Sequence, residues 1–115
     1  MNGHDTLTIM QGDQIPIGIR LEDDAGESIP DTDVAEVVIT LGNKSRKMTD
    51  EVLPVTYDAE EELWIFTVTQ EDTFALDMGV HSLEARVEFG DGNTDGASVA
   101  AVYVLPSGNK EVLNR

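Results

Sequence analysis

The chain has 115 residues, 40% of them apolar, which suits one domain with a modest core and is too apolar for a disordered segment. Twenty-three acidic residues stand against seven Lys and Arg, a formal net charge of −16, so the chain repels nucleic-acid phosphates and anionic membranes. The absence of Cys excludes disulfides, thiolate metal sites and a Cys nucleophile.

Residues 6–10 (Thr-Leu-Thr-Ile-Met) read as a short first strand, and Gln11-Gly12-Asp13 as a turn. Ile15, Ile17, Ile19 and Leu21 then alternate with Pro16, Gly18, Arg20 and Glu22, the period of a half-buried strand. Pro16 has no N–H for a ladder, which predicts an edge position. Residues 23–33 are rich in Asp, Gly, Ser and Pro and read as a loop. Val34 to Leu41 is a β-branched strand, and Gly42-Asn43 a turn. Lys44-Ser45-Arg46-Lys47 holds three of the seven basic residues, an expected exposed hairpin tip or edge.

Val52, Val55 and Tyr57 mark a further strand, followed by an acidic turn over 58–62. Leu63 to Thr69 puts Trp64, Phe66 and Val68 on one face, with the single Trp as a core anchor. Thr69, followed three residues on by Asp72, resembles a helix N-cap, which limits helix to Gln70–Leu76. Val80 to Phe89 is the longest strand, and Gly90-Asp91-Gly92-Asn93 a strong hairpin signal. Ala97 to Leu105 is apolar on both faces, which places it centrally. Residues 106–115 read as a polar tail, in which Val112 and Leu113 either fray or dock on a neighbouring subunit. About seven strands at roughly ten-residue spacing with one short helical turn predict an all-β, immunoglobulin-like antiparallel β-sandwich spanning 1–115 as one domain. A small barrel is the alternative.

Enzyme signatures are absent: the chain has no GxSxG, GxxxxGK[ST], HExxH or GxGxxG motif. His4 and His81 are far apart in sequence, and the many acids make chance carboxylate pairs inevitable. The expectation is a protein that is not an enzyme. The best chemical candidate is calcium. Asp91, Asn93 and Asp95 stand at positions 1, 3 and 5 of a loop with Gly96 at 6, as in an EF-hand. Position 12 is Val102, where a bidentate Glu is required, and the flanks read as strands. A Gly- and Asn-rich hairpin turn demands the same residues. The Asp23-Asp24 and Asp31 to Asp33 loop is a weaker cation candidate, and no other cofactor is expected.

The run Val55-Thr56-Tyr57-Asp58, then Glu62 to Phe74 (Glu-Leu-Trp-Ile-Phe-Thr-Val-Thr-Gln-Glu-Asp-Thr-Phe), is similar to small immunoglobulin-like proteins of tailed bacteriophages and prophages. The strand from Gly79 to Glu88, the Asp91-Gly92 turn and the closing strand before Lys110-Glu111-Val112-Leu113 also resemble that group. The early Gly12-Asp13 followed by alternating apolar residues resembles the N-terminal module of phage baseplate upper proteins. The resemblance implies a virion structural or assembly protein, a tail, baseplate or neck component. It would mate with other virion proteins and self-associate, with no nucleic-acid or membrane partner. The start of the chain lacks a basic, apolar leader, so the expected place is the virion, assembled in the host cytoplasm. The competing reading is a bacterial immunoglobulin-like binding module for a ligand or calcium.

Overall fold

The computed structural model describes residues 5–107. Eight strands, one 3-10 turn and one helical turn follow in order. They are β1 (Asp5–Met10), β2 (Ile15–Ile19), a 3-10 turn (Asp31–Asp33), β3 (Val34–Leu41), β4 (Lys44–Lys47), β5 (Thr56–Asp58), β6 (Leu63–Val68), α1 (Gln70–Phe74), β7 (Gly79–Phe89) and β8 (Thr94–Leu105). They form two sheets, ordered β1-β8-β7-β3-β4 and β2-β6-β5. All pairings are antiparallel except β1 with β8, which is parallel. This is a β-sandwich with the strand order of immunoglobulin-like domains, the first strand lying beside the last. It departs from antibody domains in having no disulfide and in carrying its buried Trp on the sixth strand.

Alternation builds the core. From the small sheet, Ile17, Ile19, Trp64, Phe66 and Val68 point inward; from the large sheet, Val37, Ile39, Leu41, Leu83, Val87, Val102 and Val104 do the same. Trp64 is wholly buried, donates from Nε1 to the Ile29 carbonyl at 2.9 Å and lies 5.0 Å from the Tyr57 ring. The expected core anchor is therefore a bridge between β6 and the 20–30 excursion as well.

Turn chemistry fixes the register. Gly42 (φ +60°) takes the first position of the two-residue β3–β4 hairpin loop, where only Gly is at ease. Thr69 and Asp72 close a reciprocal capping box at the start of α1. At Gly12 (φ +95°) an added Cβ would sit 2.9 Å from the Phe74 ring, so that glycine joins the β1–β2 turn to α1.

Three readings from the sequence need adjustment. The described residues hold eight strands where the sequence predicts about seven, because Lys44–Lys47 pairs with β3 as a strand of its own. Val52 is 76% exposed and outside any strand; Leu53 at φ +50° breaks the extended chain, so β5 starts only at Thr56. Arg46 is not displayed to solvent like its neighbours. It pairs in register with core residue Ile39, so it points inward from the edge strand. Pro16 does lie on an edge strand, and β8 does run between two neighbours. The helix, Gln70–Phe74, falls within the expected limit of Gln70–Leu76.

Candidate functional site

The residues singled out for calcium belong to the β7–β8 hairpin. Asp91 Oδ1 accepts from the Asn93 backbone N–H at 2.9 Å and Oδ2 from the Asn93 side-chain amide at 3.1 Å. Asp95 Oδ1 accepts from the Gly96 N–H at 2.9 Å. Asp91 and Asn93 thus make an Asx-type turn that satisfies itself. Asp95 is already in β8, paired with Val87. It lines a small pocket of ≈ 30 Å³ with Glu22, Leu21, Ile29 and Phe89. Among the described residues no group of three or more His, Asp or Glu side chains is arranged to hold a metal. A calorimetric titration with calcium chloride at near-physiological salt is expected to give no stoichiometric heat; a one-to-one isotherm would establish the metal site.

The remaining titratable residues have structural surroundings. His81 lies in β7 with Nε2 2.7 Å from the Asp77 carbonyl oxygen, packed beside Gly42. His4, Val112 and Leu113 lie outside the described residues. Arg46 donates from Nε to the Thr67 carbonyl at 2.8 Å and from Nη2 to the Asp72 carboxylate, clasping the two sheets at one end. Burial pushes the Asp72 carboxyl up, but the Thr69 N–H and the Arg46 guanidinium together outweigh it and hold the pKa below the ordinary carboxylate value. The pocket holds about one water, an order of magnitude below the usual small-molecule site of roughly 300–1,000 Å³. Among the described residues no helix is long and apolar enough to cross a membrane.

The outer face of the five-stranded sheet is different. Registers β1–β8 and β7–β8 line up Thr6, Ala101 and Ser82 in one row and Thr8, Tyr103 and Val80 in the next. Met10 pairs with Leu105, and the β7–β8 register extended by one residue puts Met78 on Leu105's other side. None of these nine positions carries a charge, in a chain with 23 acids and 7 basic residues. Met10, Met78, Val80, Tyr103 and Leu105 are each 44–63% exposed. Together they present on the order of 500 Å² of mostly apolar surface, the size at which a patch on a monomer is commonly a contact site. Farther along, the same face turns charged, with Glu84, Arg86 and Glu88 on β7.

The edges around this face are unequal. β4 has four residues and an inward-pointing Arg46, β2 has Pro16, and β5 has only three residues; each is a device that discourages strand addition. β1 carries neither charge nor Pro from Thr6 to Met10. The sequence held the signal for this surface in the doubly apolar run over 97–105. One apolar set (Ala100, Val102, Val104) is core, and the other (Tyr103, Leu105) is the exposed patch.

No protein-family model matches the chain, and no curated protein matches its sequence.

Proposed function

We propose that this protein is a structural or assembly component of a tailed-phage or prophage particle, a tail, baseplate or neck part that acts through protein–protein contacts and not through turnover. The observation that carries the reading is the uncharged apolar face on β1, β7 and β8, exposed on a molecule of net charge −16. Charge of that size keeps like-charged molecules apart except where it is locally absent. The pocket beside Asp95 is water-sized, whereas the exposed sheet face suits contact with another protein. The phage-type turns around Tyr57-Asp58 and Thr69 to Phe74 support the virion assignment, and the acidity supports partners other than nucleic acid. The particle forms in the host cytoplasm, so the chain works there and in the virion.

Mass spectrometry of gradient-purified particles from the host of origin is expected to find the chain at fixed copy number relative to the other particle proteins. Particles that assemble without it, and never contain it, overturn the assignment.

A further inference from the structure

We propose that a second copy of this chain covers the apolar face, packing sheet against sheet through Met10, Met78, Val80, Tyr103 and Leu105 about a two-fold axis near Tyr103. The inference rests on the reading of that face as a contact surface and names its occupant.

Three observations favour a like partner. First, the face is neutral. A basic partner drawn to this acidic molecule would gain nothing there, since its attraction lies with the carboxylates elsewhere. Two identical acidic molecules, by contrast, meet with least repulsion where both lack charge. Second, the area fits. Two faces of on the order of 500 Å² bury about 1,000 Å² in all, the lower bound of a specific interface and the range of weak or transient pairs. Third, the composition is self-complementary. Tyr103 stands in the middle row between Thr8 and Val80, with the flexible Met10 and Met78 at the margin. A two-fold axis through that row sets aromatic ring and aliphatic side chains of one copy onto those of the other, and the side-chain polarity matches on both sides. Glu84, the next outward residue of β7 after Ser82, stands at the rim, with Glu88 farther along, where water screens them.

The repulsion between two −16 bodies sets the signature. Raising salt from about 0.1 M to about 1 M shortens the screening length from about 10 Å to about 3 Å and strengthens apolar contact, so pairing tightens with salt. An ion-paired interface would loosen. Sedimentation velocity on the full chain, over a concentration series reaching a few hundred micromolar, is expected to show a monomer–dimer equilibrium that shifts at least several-fold toward dimer at the higher salt. Val80→Asp and, separately, Tyr103→Lys are expected to leave monomer throughout. Both positions are exposed, so the circular dichroism spectrum and melting temperature of each variant report whether the fold is retained.

A wild-type chain that stays monomeric at the highest concentration and salt overturns the proposal, as does a folded Val80→Asp that dimerises like wild type. The particle assay separates this outcome from the functional reading. A monomeric chain whose incorporation into particles is lost with Val80→Asp means that the face meets a different protein. A chain that dimerises as described yet is missing from particles retains the pairing and removes the virion assignment.

Discussion

Trp64→Ala is expected to cost about 3–5 kcal/mol from lost packing and cavity formation, the usual range for removing a large buried aromatic. The ring is wholly buried between the sheets and tilted against Tyr57. A second loss adds to the first: the Ile29 carbonyl, which accepts from Trp64 Nε1 at 2.9 Å, becomes a buried acceptor without its donor, worth about 1–3 kcal/mol. Domains of this size have stabilities of roughly 5–15 kcal/mol, so this variant loses a large share of its total and leaves the 20–30 excursion without its anchor. Urea unfolding followed by circular dichroism reads the midpoint, since the only Trp is gone. Trp64→Phe separates the two losses. It keeps most of the apolar contact and forfeits the hydrogen bond, and about 1–3 kcal/mol is expected. Equal midpoints for the Ala and Phe variants would show that cavity formation is not the main cost.

The second large effect is at the clasp between β4 and α1. Arg46→Met is expected to destabilise by about 2–4 kcal/mol, because it leaves the Asp72 carboxylate mostly enclosed without its cation and strands the Thr67 carbonyl. Asp72→Asn is expected to cost less, since the amide oxygen still accepts from the Thr69 N–H and preserves half of the capping box. The double variant should cost less than the two single effects added together, by about 1–3 kcal/mol of coupling. The pH dependence has a definite sign. Asp72 has its pKa lowered in the folded state, so its contribution is full above the unfolded value near 4 and is lost as pH falls through the lower folded value. Acid also reduces the net charge of −16 and so relieves self-repulsion, which acts in the opposite direction. The informative quantity is therefore the stability difference between wild type and Asp72→Asn, which should shrink steadily from about pH 5 to pH 2. A difference constant with pH would mean that the pair contributes nothing as an ion pair.

Much of this architecture could be read from the residues because alternation is a local signal. Wherever one face is core and the other solvent, as in β2, β6 and β7, the apolar set marks both the strand and its inward side. The Thr69–Asp72 cap and the Gly-Asp-Gly-Asn turn could be read for a similar reason, since each lies within a few residues. What escaped depends on distant partners. Arg46 belongs to a cationic tetrapeptide that locally reads as surface. Only pairing with Ile39 across the hairpin, and Asp72 twenty-six residues on, turn it inward. Val52 reads as a strand residue through its spacing to Val55 and Tyr57, of which only Tyr57 lies in β5; the positive φ of Leu53 cannot be seen in composition. The apolar face escaped for a subtler reason. The doubly apolar run over 97–105 marks β8 as a central strand, which it is, but a strand with neighbours on both sides can still turn one face to solvent, as Tyr103 and Leu105 do. Met10, Val80 and Met78 come from two other parts of the chain, and only the registers assemble them.

The parallel seating of β1 on β8 has a consequence for biosynthesis. β1 is synthesised before the other strands of its sheet, yet its neighbour is made of residues roughly ninety positions later. Until residues 94–105 have been synthesised, Leu7 and Ile9 have no strand beside them, and the same nascent chain exposes the unpaired flank of β7. The five-stranded sheet therefore closes late, through a pairing of high sequence separation, and such β topologies typically fold in milliseconds to seconds. In that interval the strong negative charge does a second job: it holds neighbouring nascent chains apart while their sticky strands wait for the last one to arrive.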